Sequence, residues 1–124
     1  MAPVSRSTLL SALDRAAIGL SALCAAHCLI SVILIAGLSV AGSIWTDPAI
    51  HRIGMFGAVL LAAVAFGPTL IRERLTRGIV VGMVGLLLMA LGLLVPHGWP
   101  EIAATITGAS LLAGAHLMNT RARD

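Results

Sequence analysis

The sequence predicts an all-α integral membrane protein, a bundle of four transmembrane helices with both termini in the cytoplasm. Of its 124 residues, 59% are hydrophobic and only 10% are charged. Soluble domains average about 45–50% apolar and about 25% charged residues, so this chain has too few polar groups to cover a water-exposed surface. The composition therefore argues against a soluble globule, a disordered tail and a nucleic-acid-binding module.

The apolar residues fall in four blocks that contain no Asp, Glu, Lys or Arg. They are residues 16–46, 53–71, 78–100 and 102–120. About 20 apolar residues suffice to cross a bilayer, and continuous runs lack the polar alternation of barrel strands. Because lipid cannot hydrogen-bond the backbone, each block is expected to be a helix. We place the spans at about 16–40, 53–71, 79–95 and 102–118, within one domain covering residues 1–124.

The connections between the spans are short, which makes consecutive helices antiparallel neighbours. The cluster Thr46-Asp47-Pro48 predicts a turn, with Pro48 suited to the start of the next helix. A polar break covers residues 72–77, and residues 96–101 form a turn bounded by two prolines. His51 and His97 are then expected in the outer connections, where they either gather ions or are merely solvated.

Arginines near the span ends predict the orientation. One side of the membrane receives seven of them: Arg6, Arg15, Arg72, Arg74, Arg77, Arg121 and Arg123. The other side receives only Arg52. Since positive residues stay in the cytoplasm, both termini are expected inside.

Glycines recur at helix-packing spacings in the third span. Gly78 and Gly82 form a GxxxG pair, and Gly85 and Gly92 continue the small positions. Small residues let membrane helices approach closely. The pattern fits either packing inside the bundle, which we favour, or a homo-oligomer joined through the glycine faces.

The two cysteines of the chain lie together in the first span. In the segment Ser-Ala-Leu-Cys-Ala-Ala-His-Cys, residues 21–28, Cys24, His27 and Cys28 share one helix face. Paired thiolates bind soft metal ions, and imidazole extends the ligand set. The alternative is that the cysteines pack as small hydrophobes and the histidine bonds to a neighbouring helix. Because intramembrane ionisable groups are costly and usually functional, we predict a metal site.

A polar face on the fourth span is a second candidate region. Thr105, Ala109, His116 and Asn119 share this face. His116 and Asn119, as weaker candidates for the metal site, offer a polar exit for the ion. Alternatively, they hydrogen-bond to the first helix and order the bundle. His116 is expected about two turns shallower than Cys24, so direct ligation of one ion by both is left open.

Other chemistry fits the cysteine segment less well. Haem attachment and thioredoxin-like redox centres use Cys-x-x-Cys, whereas the order here is Cys-x-x-His-Cys. A structural zinc site normally has four ligands, and only three are adjacent. We expect no enzymatic activity and no cofactor, although a membrane thiol oxidoreductase remains a third hypothesis.

Two segments resemble the MerC family of small four-span inner-membrane proteins associated with bacterial mercury resistance. They are the cysteine segment after a basic N-terminus and Ala-His-Leu-Met-Asn-Thr-Arg at residues 115–121. The resemblance implies transport of Hg(II) into the cytoplasm, with Cys24 and Cys28 as the intramembrane mercury site. Unlike the better-known mercury transporters, this chain has a histidine inside the motif and no second cysteine pair.

The leading hypothesis is therefore a transporter for mercuric or another thiophilic ion. Cys24 and Cys28 would bind the ion as thiolates, and His27 would help to deprotonate them or complete the ligand set. A cytoplasmic thiol acceptor would then receive the ion by exchange. The alternative is a non-transporting metal-binding or accessory structural membrane protein.

Overall fold

The computed structural model describes residues 6–38, 47–73, 75–96 and 98–122. These residues form four helices, α1 (Arg6–Leu38), α2 (Pro48–Glu73), α3 (Arg77–Gly92) and α4 (Trp99–Arg121). The described part of the chain contains no strand, so the prediction of an all-helical fold is confirmed. His97 and residues 39–40 of the first expected span lie outside the described residues.

The starts of the helices follow from local sequence. Asp47 precedes α2 and its Oδ1 accepts a 2.8 Å hydrogen bond from the backbone N of Ala49, with Pro48 as the first helical residue. Thr76 caps α3 by accepting a hydrogen bond from the backbone N of Ile79. Gly98, with φ 146°, turns the chain into α4, where Pro100 lies in the first turn. The expected turn at Asp47-Pro48 is thus present.

Two of the expected helix boundaries are wrong. The first helix begins at Arg6 rather than near residue 16, so that Asp14 and Arg15 are helical. The second begins at Pro48 rather than near residue 53, which places His51 in the first turn of α2 and not in a connection. The apolar runs begin after Arg15 and Arg52, whereas the helices include these charged residues.

Helices α1, α2 and α4 are long and apolar enough to cross a membrane, judged by length and composition. Helix α3 has 16 residues and, at 1.5 Å per residue, is about 24 Å long. That is shorter than a hydrocarbon layer of about 30 Å. The structure therefore gives three helices of spanning length and one shorter apolar helix, where four spans were expected.

Glycines bring α3 and α4 into close contact. A Cβ atom built on Gly85 would lie 2.7 Å from the carbonyl oxygen of Gly108, and one built on Gly108 would lie 2.6 Å from that of Gly85. Gly78 and Gly82 also face α4, each close to Ala115. The interpretation of these glycines as packing positions inside the bundle is confirmed for α3.

The core is built from small and medium apolar side chains. It is formed by Ala58, Ala62 and Phe66 of α2, Ile79 and Met89 of α3, and Ala109, Leu112 and Ala115 of α4. Helix α1 adds a buried stripe formed by Asp14, Ala17, Ser21 and Cys28. Many large apolar side chains point outwards, among them Ile71 at 86% exposure. Such a surface suits a chain surrounded by lipid, which is as apolar as leucine.

Candidate metal site between α1 and α2

The two cysteines occupy successive turns of α1 and face different surroundings. Cys28 is buried, with 2% of its surface exposed, whereas Cys24 is partly exposed. No disulfide joins them, since both are free. A Cβ atom on Gly54 of α2 would lie 3.2 Å from the Cys24 Sγ, so the glycine gives the thiol its room. The pair therefore lies along the contact between α1 and α2.

A cavity of about 410 Å³ opens beside Cys24. Cys24, His27 and His51 contribute its chemically reactive side chains. The other lining residues are mostly apolar and come from α1, α2 and α3, with Thr105 from α4. Its size lies within the usual range of ligand pockets, about 300–1,000 Å³, and far exceeds the space that a single ion needs. The cavity leaves room for a small ion beside the Cys24 thiol.

The Cys28 thiol meets a histidine from the neighbouring helix. Cys28 Sγ lies 3.3 Å from Nε2 of His51. The other ring nitrogen of His51, Nδ1, lies 3.6 Å from Oε1 of Glu101 at the start of α4. Glu101 is 8% exposed. One thiol, one imidazole and one carboxylate thus follow each other across α1, α2 and α4.

His27, the expected third ligand, packs its ring against the ring of His51. The two rings meet edge-on, with centroids 5.6 Å apart. Its backbone carbonyl accepts a 2.8 Å hydrogen bond from the hydroxyl of Ser31. Within the described residues, no three His, Cys, Asp or Glu side chains are placed so that they could hold one metal ion together. Ligation by Cys24, Cys28 and His27 stays a prediction.

His116 and Asn119 lie at the other end of α1, beside a carboxylate that the sequence reasoning missed. Asp14 is fully buried, and its Oδ1 lies 2.7 Å from Nδ1 of His116. The side-chain amide of Asn119 donates to both oxygens of Asp14, at 3.1 Å each. Asp14 precedes Cys24 by ten residues, or about 15 Å of helix. The structure therefore does not bring His116 to the cysteines; the alternative, hydrogen bonding to the first helix, is confirmed.

His51, Glu101 and Asp14 were each placed outside the expected spans. A signal for Asp14 exists, because Asp14, Ser21 and Cys28 recur every seven residues and all three are buried. A signal for His51 exists as well, since it follows the helix-starting Pro48 by three residues. Nothing comparable marks Glu101 as a partner of His51, because that contact depends on how α4 packs.

Comparison with known proteins identifies the family. The family model described as MerC mercury resistance protein matches residues 14–121, well over half of the chain. No curated protein and no solved structure gives a significant match. The chain belongs to the MerC family and is a membrane protein of the kind associated with mercury resistance.

Proposed function

We propose that the protein moves a mercuric ion, or another thiophilic metal ion, across the inner membrane into the cytoplasm. The observation that carries this proposal is the pair of free thiols on successive turns of α1, one of which lines the cavity between the helices. Thiolates are the ligands that soft metal ions prefer. Membership of a mercury-resistance family supports Hg(II) as the ion.

The placement of the thiols suits passage better than storage. Structural metal sites usually close four ligands around the ion and bind it durably. Here only two thiols lie together on α1, and Cys24 borders open space of about 410 Å³. An ion held by two thiolates remains open to attack by a third thiol. A cytoplasmic thiol acceptor then removes the ion by ligand exchange, which needs no cofactor and no enzymatic step.

Uptake of radiolabelled Hg(II) into proteoliposomes tests this function. We expect uptake by the unaltered protein to fall to the level of empty liposomes in Cys24→Ser and in Cys28→Ser, because a hydroxyl is a poor ligand for a soft ion. Ser110→Ala is a matched control, since Ser110 is exposed on α4 and only bonds to the backbone of its own helix. Its uptake should be unchanged.

Two outcomes would contradict the proposal. Equal uptake by the unaltered protein and both cysteine variants would remove the thiols from the pathway. Cysteine-dependent binding of Hg(II) without any uptake would instead support the second candidate, a metal-binding accessory protein that does not transport.

A further inference from the structure

We infer that His51 of α2, oriented by Glu101 of α4, is a ligand of the transported ion together with Cys28. This inference rests on the proposed function and extends it, because the binding site then spans two helices instead of one helix face. The ligand set becomes mixed, with sulfur from α1 and nitrogen from α2. Neither His51 nor Glu101 belongs to the cysteine segment.

The distance between the two ligand atoms fits a bridging ion. Cys28 Sγ and His51 Nε2 are 3.3 Å apart. Zinc-type bonds of about 2.3 Å to sulfur and about 2.0–2.1 Å to nitrogen, at a tetrahedral angle, place the two atoms about 3.6 Å apart. An ion therefore enters between them after a movement of a few tenths of an ångström. The larger soft ions need somewhat more.

Glu101 gives His51 the surroundings of a metal-binding histidine. Metal-ligating histidines almost always direct their second ring nitrogen to a carboxylate, a carbonyl or water, which fixes the ring and raises its basicity. The Nδ1 of His51 lies 3.6 Å from a Glu101 carboxylate oxygen, an ion-pair distance slightly longer than a hydrogen bond. A proton on Nδ1 is favoured there. The lone pair of Nε2 then faces Cys28.

Binding of the ion releases one proton from each thiol that becomes a thiolate ligand. With the ring proton of His51 on Nδ1, the Cys28 thiol is the donor and Nε2 of His51 the acceptor of their 3.3 Å contact in the empty site. When a divalent ion binds, the S–H bond breaks, bonds from the ion to Sγ and Nε2 form, and the proton leaves to solvent. The His51 side chain is 22% exposed and lies in the first turn of α2. No oxidation or reduction is involved.

His27 is the competing source of the nitrogen ligand. It lies on α1 with both cysteines, and its ring meets the His51 ring edge-on, with centroids 5.6 Å apart. The Sγ atom of Cys28 contacts Nε2 of His51. Ligation by His27 and ligation by His51 therefore predict opposite results when each histidine is replaced in a metal-binding experiment.

Cadmium NMR on the full chain in lipid nanodiscs separates the two histidines. The probe is ¹¹³Cd(II), a soft ion visible by NMR, bound to protein labelled with ¹⁵N at histidine. We expect a one-bond ¹¹³Cd–¹⁵N coupling in the unaltered protein and in His27→Ala, and its loss in His51→Ala and in His51→Gln. Coupling that survives in the His51 variants, or that is absent from the unaltered protein, would overturn the inference.

Glu101→Gln tests the orienting carboxylate without removing a ligand. Loss of such a partner typically weakens metal affinity about 10–100-fold. We expect that loss in a Cd(II) titration, with the nitrogen coupling retained once the site is filled. Asp47→Asn, an exposed carboxylate near the start of α2, serves as the control and should bind as the unaltered protein does. An unchanged affinity in Glu101→Gln would show that Glu101 does not support the ligand.

Failure of this inference differs from failure of the proposed function. Cysteine-dependent Hg(II) uptake without any nitrogen coupling leaves the thiol transporter intact and removes His51. Uptake that ignores both cysteines overturns the transporter itself, whatever the NMR result.

Discussion

Three buried polar residues, Asp14, His116 and Asn119, form one hydrogen-bonded cluster. Asp14 has no exposed surface and sits on an apolar helix. Unpaired, such a carboxylate would be strongly destabilising. His116 and Asn119 of α4 supply the hydrogen bonds, and Phe66 of α2 stacks on the His116 ring with centroids 4.4 Å apart. This polar cluster therefore joins α1, α2 and α4 at the end away from the thiols.

Replacing Asp14 by alanine is expected to loosen this end of the bundle. His116 and Asn119 would lose the acceptor that their side chains share. Interhelical hydrogen bonds in membranes contribute about 1–2 kcal/mol in model peptides and about 0.6 kcal/mol on average in a natural bundle, so we expect a loss of about 1–2 kcal/mol. Unfolding of the detergent-solubilised protein by SDS measures the change.

The neighbouring residue provides the control for this substitution. Arg15 is exposed on the same helix, and Arg15→Ala should change the unfolding free energy little. If Asp14→Ala and Arg15→Ala had equal free energies of unfolding, the hydrogen bonds of the cluster would not contribute to the stability of the bundle.

At the scale of helices, α4 holds the bundle together because it packs against both α1 and α3. Its two neighbours are joined to it by different means. The contact with α3 depends on glycines that let the backbones touch, as at Gly85 and Gly108. The contact with α1 includes the hydrogen bonds to Asp14. Van der Waals packing and hydrogen bonding both hold membrane helices together where hydrophobic attraction between them is absent.

A pair of glycine substitutions on α4 tests the first of these contacts. In Gly108→Ala the new Cβ would lie 2.6 Å from the Gly85 carbonyl oxygen and 2.9 Å from the backbone N of Met89, so backbone must move. Overpacking of this kind typically costs about 1–3 kcal/mol. Gly114→Ala is the matched control, since its Cβ would meet nothing within 4 Å. It should be neutral or gain about 0.4–1 kcal/mol.

SDS unfolding of both variants gives the comparison. A smaller loss for Gly108→Ala than for Gly114→Ala would contradict the close α3–α4 contact.

The sequence predicted which residues share a helix face, but it missed several of the partners that these faces meet on other helices. The common face of Cys24 and Cys28 follows from helical periodicity alone. The packing of Gly78 and Gly82 was foreseen because small residues have few other uses in a membrane helix. The partners His51 and Glu101 were not foreseen. Lipid and neighbouring helices are equally apolar, so hydrophobicity does not tell which face of α2 or α4 turns inwards.

Charge played two roles along the chain, and only one was recognised at first. Arginines near the span ends predict the orientation, and charged residues bound the apolar runs that predict the spans. Asp14 and Glu101 are instead buried inside the bundle. A buried acid next to a span end carries the same signature in sequence as a solvated one, because both lie between an apolar run and a polar segment.

At the scale of the whole molecule, the start of α1 and the end of α4 lie at the same end of the bundle. The N-terminal half of α1 and the C-terminal part of α4 meet through Asp14 and Asn119. The thiols, His51 and Glu101 lie toward the opposite end. An ion that enters near His51 therefore starts at the end of the bundle opposite to the Asp14 cluster. Whether that entrance faces outwards is a question of orientation in the membrane.

Reporter fusions to the full chain test the orientation. Because seven of the eight arginines fall on the side of the termini, we expect that side in the cytoplasm. Green fluorescent protein fused to either end should fluoresce, and alkaline phosphatase fused there should be inactive, since it folds only outside the cytoplasm. A phosphatase inserted within residues 93–98, between α3 and α4, is the positive control and should be active. Active phosphatase at both termini would show that the orientation is the reverse of the expected one. The His51 end would then face the cytoplasm and would be the exit for the ion instead of its entrance.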